Sequence, residues 1–199
     1  MPDSERSIKR RYVLTGICAL GVGAGKSGRT QVSGGADVTA PPQAGDVLVF
    51  AFGDREGEVM YPADLTTGAD QVFAWPMDPS ALTIRNGTRL NQIIVVRLEP
   101  QRLSAETLLR SVEGVVAYSG ICSHTGCDVT DWNEAASRFQ CPCHESQFDP
   151  GDGARVVGGP APWQLAALPL TLSEKGLTVA GAFEGRVGFQ QPGLDPFGL

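Results

Sequence analysis

The sequence predicts an all-β protein, an antiparallel sandwich of stacked sheets, and three observations predict it. Gly (25) and Pro (14) are plentiful among 199 residues, which favours a turn-rich chain over a helical bundle. The apolar runs are short, rich in Val, Leu and Phe, and separated by turn signals. Only residues 104–110 carry a helix signal, with Ser104 as the cap.

Residues 1–11 are polar and end in Lys9-Arg10-Arg11, and residues 12–24 are mostly small and apolar. Arg10-Arg11-Tyr12-Val13-Leu14 is similar to a twin-arginine export signal. A helix of that apolar stretch reaches only ~20 Å against a hydrocarbon core of ~30 Å, which suits a signal segment. No small-x-small cleavage site follows, so residues 1–27 are read as a signal or, by a small margin, a retained membrane anchor. Cys18 is then a small apolar side chain in that segment, since Ile17 stands where a lipoprotein signal needs a small residue. Residues 28–45 lack large apolar side chains and read as a flexible linker, stiffer at Pro41-Pro42. Strand-like runs follow at 47–52, 71–76, 92–98, 114–120, 138–141, 165–172 and 176–183, inside a domain expected over 46–190 with a tail at 191–199. The net charge of −6 argues against nucleic acid or anionic lipid as the main partner, because both attract a basic face.

The chemistry lies in two short boxes. Box one is Cys122-Ser123-His124-Thr125-Gly126-Cys127, and box two is Cys141-Pro142-Cys143-His144-Glu145-Ser146-Gln147-Phe148-Asp149. Both histidines of the chain and four of its five cysteines fall here. A zinc site from Cys122, Cys127, Cys141 and Cys143 would have to use gaps of four and one residues rather than the usual two. Two plain structural disulfides are a further alternative.

The pattern Cys-x-His-x-x-Cys … Cys-x-Cys-His resembles the Rieske iron–sulfur family. That resemblance implies one [2Fe–2S] cluster, with Cys122 and Cys141 on one iron and His124 and His144 on the other, a ligand set already described for Rieske centres. It also implies a Cys127–Cys143 disulfide and a small cluster-binding subdomain, about 115–162, within the Rieske sandwich. Neutral imidazoles lower the cluster's negative charge and ease its reduction. A disulfide requires an oxidising compartment, in keeping with the export signal. Gly158-Gly159-Pro160-Ala161-Pro162 resembles the family's proline loop, a stiff cover for the cluster, although a Pro-rich surface turn would look the same. Val115–Ser119 and the stretch 177–181 also fit, so the likeness spans roughly 46–188.

Within the family, an oxygenase is excluded by counting, because its mononuclear iron needs two further histidines. Oxygenase-type ferredoxins usually lack the second cysteine pair. The remaining layout, anchor, linker and head, resembles the Rieske subunit of a bacterial cytochrome bc-type complex. It implies cytochrome b and a c-type cytochrome as partners and quinol as electron donor, with the N-terminal segment in the cytoplasmic membrane and the head on its outer face. The family mechanism then assigns to His144 the acceptance of a hydrogen bond, and then a proton, from quinol. Three departures stand beside this: Thr125 where the family has a bulky apolar residue, Glu145 where it has Gly, and Phe148 where it has a Tyr hydroxyl donor. Ser146, the other donor, is retained. The departures keep a second context open, the small subunit of an arsenite-oxidase-like molybdenum enzyme.

Overall fold

A computed structural model of the protein describes residues 37–189. The signal or anchor reading of 1–27, Cys18, the first part of the linker and the tail at 191–199 lie outside the described residues. Among the described residues no helix is long and apolar enough to cross a membrane.

In chain order the strands are β1 (Val47–Phe50), β2 (Val72–Asp78), β3 (Thr83–Ile84), β4 (Ile93–Arg97), β5 (Val115–Ser119), β6 (Asp131–Asn133), β7 (Arg138–Gln140), β8 (Gln147–Asp149), β9 (Arg155–Gly158), β10 (Leu170–Ser173) and β11 (Gly176–Val179). They form two antiparallel sheets, so the fold is all-β as the sequence predicts. The seven-stranded sheet runs β10-β11-β1-β2-β4-β5 with β3 beside β2, and the four-stranded sheet runs β6-β7-β8-β9.

Between β2 and the edge strand β5 of the large sheet lies β4, a run of β-branched residues that fit a pleated surface buried on both sides. Alternation sends Ile94 and Val96 into one core and Ile93 and Val95 into another. The first core also takes Phe139 and Phe148 from the small sheet, together with Cys122 and Cys141. The two boxes are therefore rooted in the core that joins the sheets. Tyr118 of β5 crosses it, stacking edge-on against Phe139 and donating its hydroxyl to the Pro150 carbonyl at 2.7 Å.

The one α-helix among the described residues, α1, is one turn, Ala105–Leu108, capped by the Ser104 hydroxyl on the Thr107 amide. The apolar run at 165–172 is not one strand. Leu165 to Leu168 are buried but irregular, and β10 begins only after Pro169, whose missing N–H interrupts a ladder. Four short strands, β3, β6, β8 and β9, carry too few apolar residues to show a period.

Residues 37–45, the end of the linker reading, are held to the body. Asn91 donates to the Ala40 carbonyl at 2.7 Å, Gly87 to that of Val38 at 2.9 Å, and Gly45 to that of Val179 at 2.9 Å. Behind them lies a buried ion pair, Arg85 on Asp46 at 2.7 and 3.1 Å, with Asp78 at 3.9 Å. Composition read this stretch as mobile because its anchors are backbone groups, which composition does not reveal.

Candidate metal centre

Box one leaves the end of β5 and box two closes the β7–β8 hairpin. Both are the same turn. In each, the first cysteine donates its amide to the carbonyl five residues on, Cys127 at 2.7 Å or Ser146 at 2.9 Å. Its own carbonyl accepts from the amide four residues on, Gly126 at 3.1 Å or Glu145 at 2.9 Å. The fifth residue is left-handed in both, Gly126 at φ +79° and Glu145 at φ +58°. The regular spacing of Cys122 to Gly126 and Cys141 to Glu145 was the sequence signal for this, and it passes unnoticed when only metal-binding residue types are compared.

The turns bring together three pairs, each with one member from each box. Cys127 and Cys143 form a disulfide. Cys122 and Cys141 are free thiols, each only 1% exposed. His124 and His144 meet edge to face with their Nδ1 atoms 3.2 Å apart, and His144 is the more exposed. The sulfurs of Cys127, Cys141 and Cys143 lie within 4.8 Å of one another, but two of them are spent in the disulfide, which removes the four-cysteine zinc alternative.

What remains is a donor set of two buried thiols and two facing imidazole nitrogens. Burial pushes the Cys122 thiol up to about 11, and the Cys141 sulfur beside it adds to the rise, while the His124 amide and the Ser146 hydroxyl oppose it. The buried Cys122 thiol therefore keeps its proton in neutral water, and a bound metal can replace that proton. Two convergent Nδ1 atoms either share a proton or face a cation. This chemistry, soft sulfur inside and imidazole outside, fits a [2Fe–2S] cluster.

The surrounding residues hold the pairs in place. Ser146 is fully buried, and its oxygen accepts the Ala161 amide at 3.1 Å while its hydroxyl reaches Cys122. Phe148 is buried among the aromatic and cysteine side chains, and Pro160, on the 158–162 loop, is exposed. Sequence reading missed three supports. The Ser123 hydroxyl donates to the Trp163 carbonyl at 2.5 Å. Gly159, at φ +78°, lies so close to box two that an added Cβ would sit 2.7 Å from the Ser146 nitrogen. Residues 184–189 return across the site. Arg186 lies 5.2 Å over the Trp163 ring, Gly188 packs on Ile121, and Phe189 lies beside Gly126.

Comparison with known proteins agrees with the geometry. The family profile of the Rieske [2Fe-2S] domain matches residues 88–169. The cytochrome bc1 complex Rieske iron-sulfur subunit of Streptomyces lividans is 36% identical over 135 residues, 66% of this chain and 79% of that one. Its counterpart in Streptomyces coelicolor is also 36% identical, but the chain covers only 38% of its length. A Rieske subunit of a respiratory nitrate reductase, named so in Haloferax mediterranei, is 49% identical over 85 residues, 42% of this chain and 36% of that one. With the paired turns, the cross-linked loops and this identity over most of the Streptomyces lividans protein, the chain belongs to the Rieske [2Fe–2S] family of one-electron transfer proteins, which carry a single cluster.

Proposed function

We propose that the chain is the Rieske subunit of a membrane cytochrome bc-type complex, taking one electron from quinol and passing it to a c-type cytochrome. The observation that carries this reading is the pairing of an exposed imidazole with buried thiols: His144 faces out and the sulfurs face in. The name of the Streptomyces lividans relative supports the context.

In this reading Cys122 and Cys141 hold one iron, and His124 and His144 the other. The cluster supplies, when bound, a one-electron acceptor made easier to reduce by its two neutral ligands. The Nδ1 atoms turn inward, so Nε2 on the opposite edge of the His144 ring receives the quinol hydrogen bond and then its proton. The disulfide keeps the two boxes from parting, and the 158–162 loop keeps water from the thiol side. The N-terminal segment anchors the chain in the cytoplasmic membrane. Residues 37–45 are fixed to the body and do not belong to the tether that this reading needs.

The Haloferax mediterranei relative favours one other reading, a small Rieske subunit attached to a periplasmic respiratory enzyme such as an arsenite-oxidase-like molybdenum enzyme. One experiment tests both readings and a second separates them. Dithionite-reduced protein shows the low-average-g EPR signal of a mixed Cys/His cluster with two irons per chain, and replacing Cys122, His124, Cys141 or His144 abolishes it. A colourless protein with one zinc would end both readings. In the native membrane, quinol-site inhibitors block reduction of the cluster, and deleting residues 28–35 slows turnover while leaving the head's potential unchanged. Full turnover with the shortened tether would favour the fixed small subunit.

A further inference from the structure

Glu145 occupies a position its own turn disfavours. Box one solves the same turn with Gly126, whose missing Cβ makes a left-handed φ free of strain. Box two places a glutamate there at φ +58°, a conformation that side-chain-bearing residues adopt at a cost. No contact of the side chain among the described residues offsets that cost. Among the described residues the Glu145 side chain makes no hydrogen bond and no ion pair, and it is exposed. The other left-handed glutamate, Glu113, at least faces Arg97 at 3.6 Å.

The neighbouring charges sharpen the contrast. Asp128, next to box one, is bound by Arg89 at 2.5 Å. Asp149, at the end of box two, has Arg102 at 4.0 Å. Thr125, Pro142 and the disulfide are uncharged. Glu145 is thus the uncompensated formal charge on the two boxes, one peptide bond from the exposed imidazole of His144. A partner that approaches His144 meets this exposed carboxylate beside it, in a chain already at −6.

We infer that Glu145 is a specificity-determining residue of the electron-transfer site, whose carboxylate selects a protein partner that brings lysine or arginine side chains up to His144. The inference rests on the reading of His144 as the outward ligand and adds the chemistry of what docks there. The strained glutamate raises the rate of productive encounter with a cationic face and lowers it with an anionic one. It does so through charge, not through the shape of the turn.

The test uses the reduced holoprotein and two oxidants of opposite sign, tris(phenanthroline)cobalt(III) and ferricyanide, in stopped flow. At low salt, Glu145→Gln lowers the ratio of cobalt to ferricyanide rate constants by roughly three- to tenfold, and the difference closes near 1 M salt. Glu145→Gly gives the same ratio as Glu145→Gln although it alone also relieves the turn. Glu174→Gln, an equal charge change in the β10–β11 turn, leaves the ratio near the wild-type value. An unchanged ratio in Glu145→Gln, or an equal fall in Glu174→Gln, overturns the inference while the cluster's EPR signal leaves the proposed function standing. Absence of that signal in the wild type overturns both.

Discussion

Ser146 accepts the Ala161 amide and turns its hydroxyl toward Cys122, so one buried side chain joins box two, the 158–162 loop and a thiol. Hydrogen bonds to cluster sulfur stabilise the added electron, and removing a donor lowers the potential. Ser146→Ala therefore lowers it by several tens of millivolts, from a bond of ~1–3 kcal/mol in a one-electron couple. It also leaves the Ala161 amide unpaired, which costs the fold ~1–3 kcal/mol. Phe148 lies in the same core as Cys122 and Cys141, and Phe148→Tyr raises the potential by a similar amount. Protein-film voltammetry reads both changes, and a flat response in the two variants means that neither side chain faces the cluster. Glu145→Gly acts on stability, because glycine has no Cβ to strain the left-handed turn. A gain of about 1 kcal/mol, or roughly 2–4 °C in Tm, follows.

At the scale of the element, two turns with one hydrogen-bond pattern present the ligating types from separate sheets, and the 158–162 loop closes against them. Gly159→Ala forces a Cβ into the box two backbone at a left-handed φ, for a loss of about 3 kcal/mol. Iron content per chain and Tm fall together, whereas iron retained at wild-type level in Gly159→Ala would mean the loop simply moves aside. Residues 184–189 form a strap from the Trp163 ring to Gly126. Cutting it with Phe189→Ala quickens bleaching of the cluster by a chelator severalfold, with the disulfide intact. Much of this was legible in the residues: the two boxes, the long strands and the Ser104 cap carry strong local signals. The strap and Gly159 were not, because a close backbone approach between distant segments leaves no mark on composition. Three-residue strands such as β6 and β8 are equally silent, since their pairing, not their hydrophobicity, makes them strands.

The whole molecule is held at its N-terminal side by Asp46 and Arg85, exposed by 3% and 6%. A buried pair contributes little beyond an apolar substitute, but breaking it is costly, because the surviving charge has no partner. Arg85→Met strands Asp46 and costs about 3–5 kcal/mol, measured by urea unfolding of the head. A loss under 1 kcal/mol would show that water reaches Asp46 freely. The sequence could not announce this pair, whose members stand 39 positions apart, nor that it underlies a stretch that composition reads as linker.

The crowding of three sulfurs within 4.8 Å has a further consequence, for assembly. A reduced Cys141 beside the Cys127–Cys143 bridge stands in the arrangement for thiol–disulfide exchange, its thiolate attacking one sulfur and expelling the other with no net oxidation. The isomer that results has lost a proposed iron ligand. Iron occupying Cys141 removes the attacking group, so the productive order is metal first and bridge second. Peptide mapping makes this visible: chains oxidised without iron give mixed bridges involving Cys141, and chains loaded beforehand give Cys127–Cys143 alone.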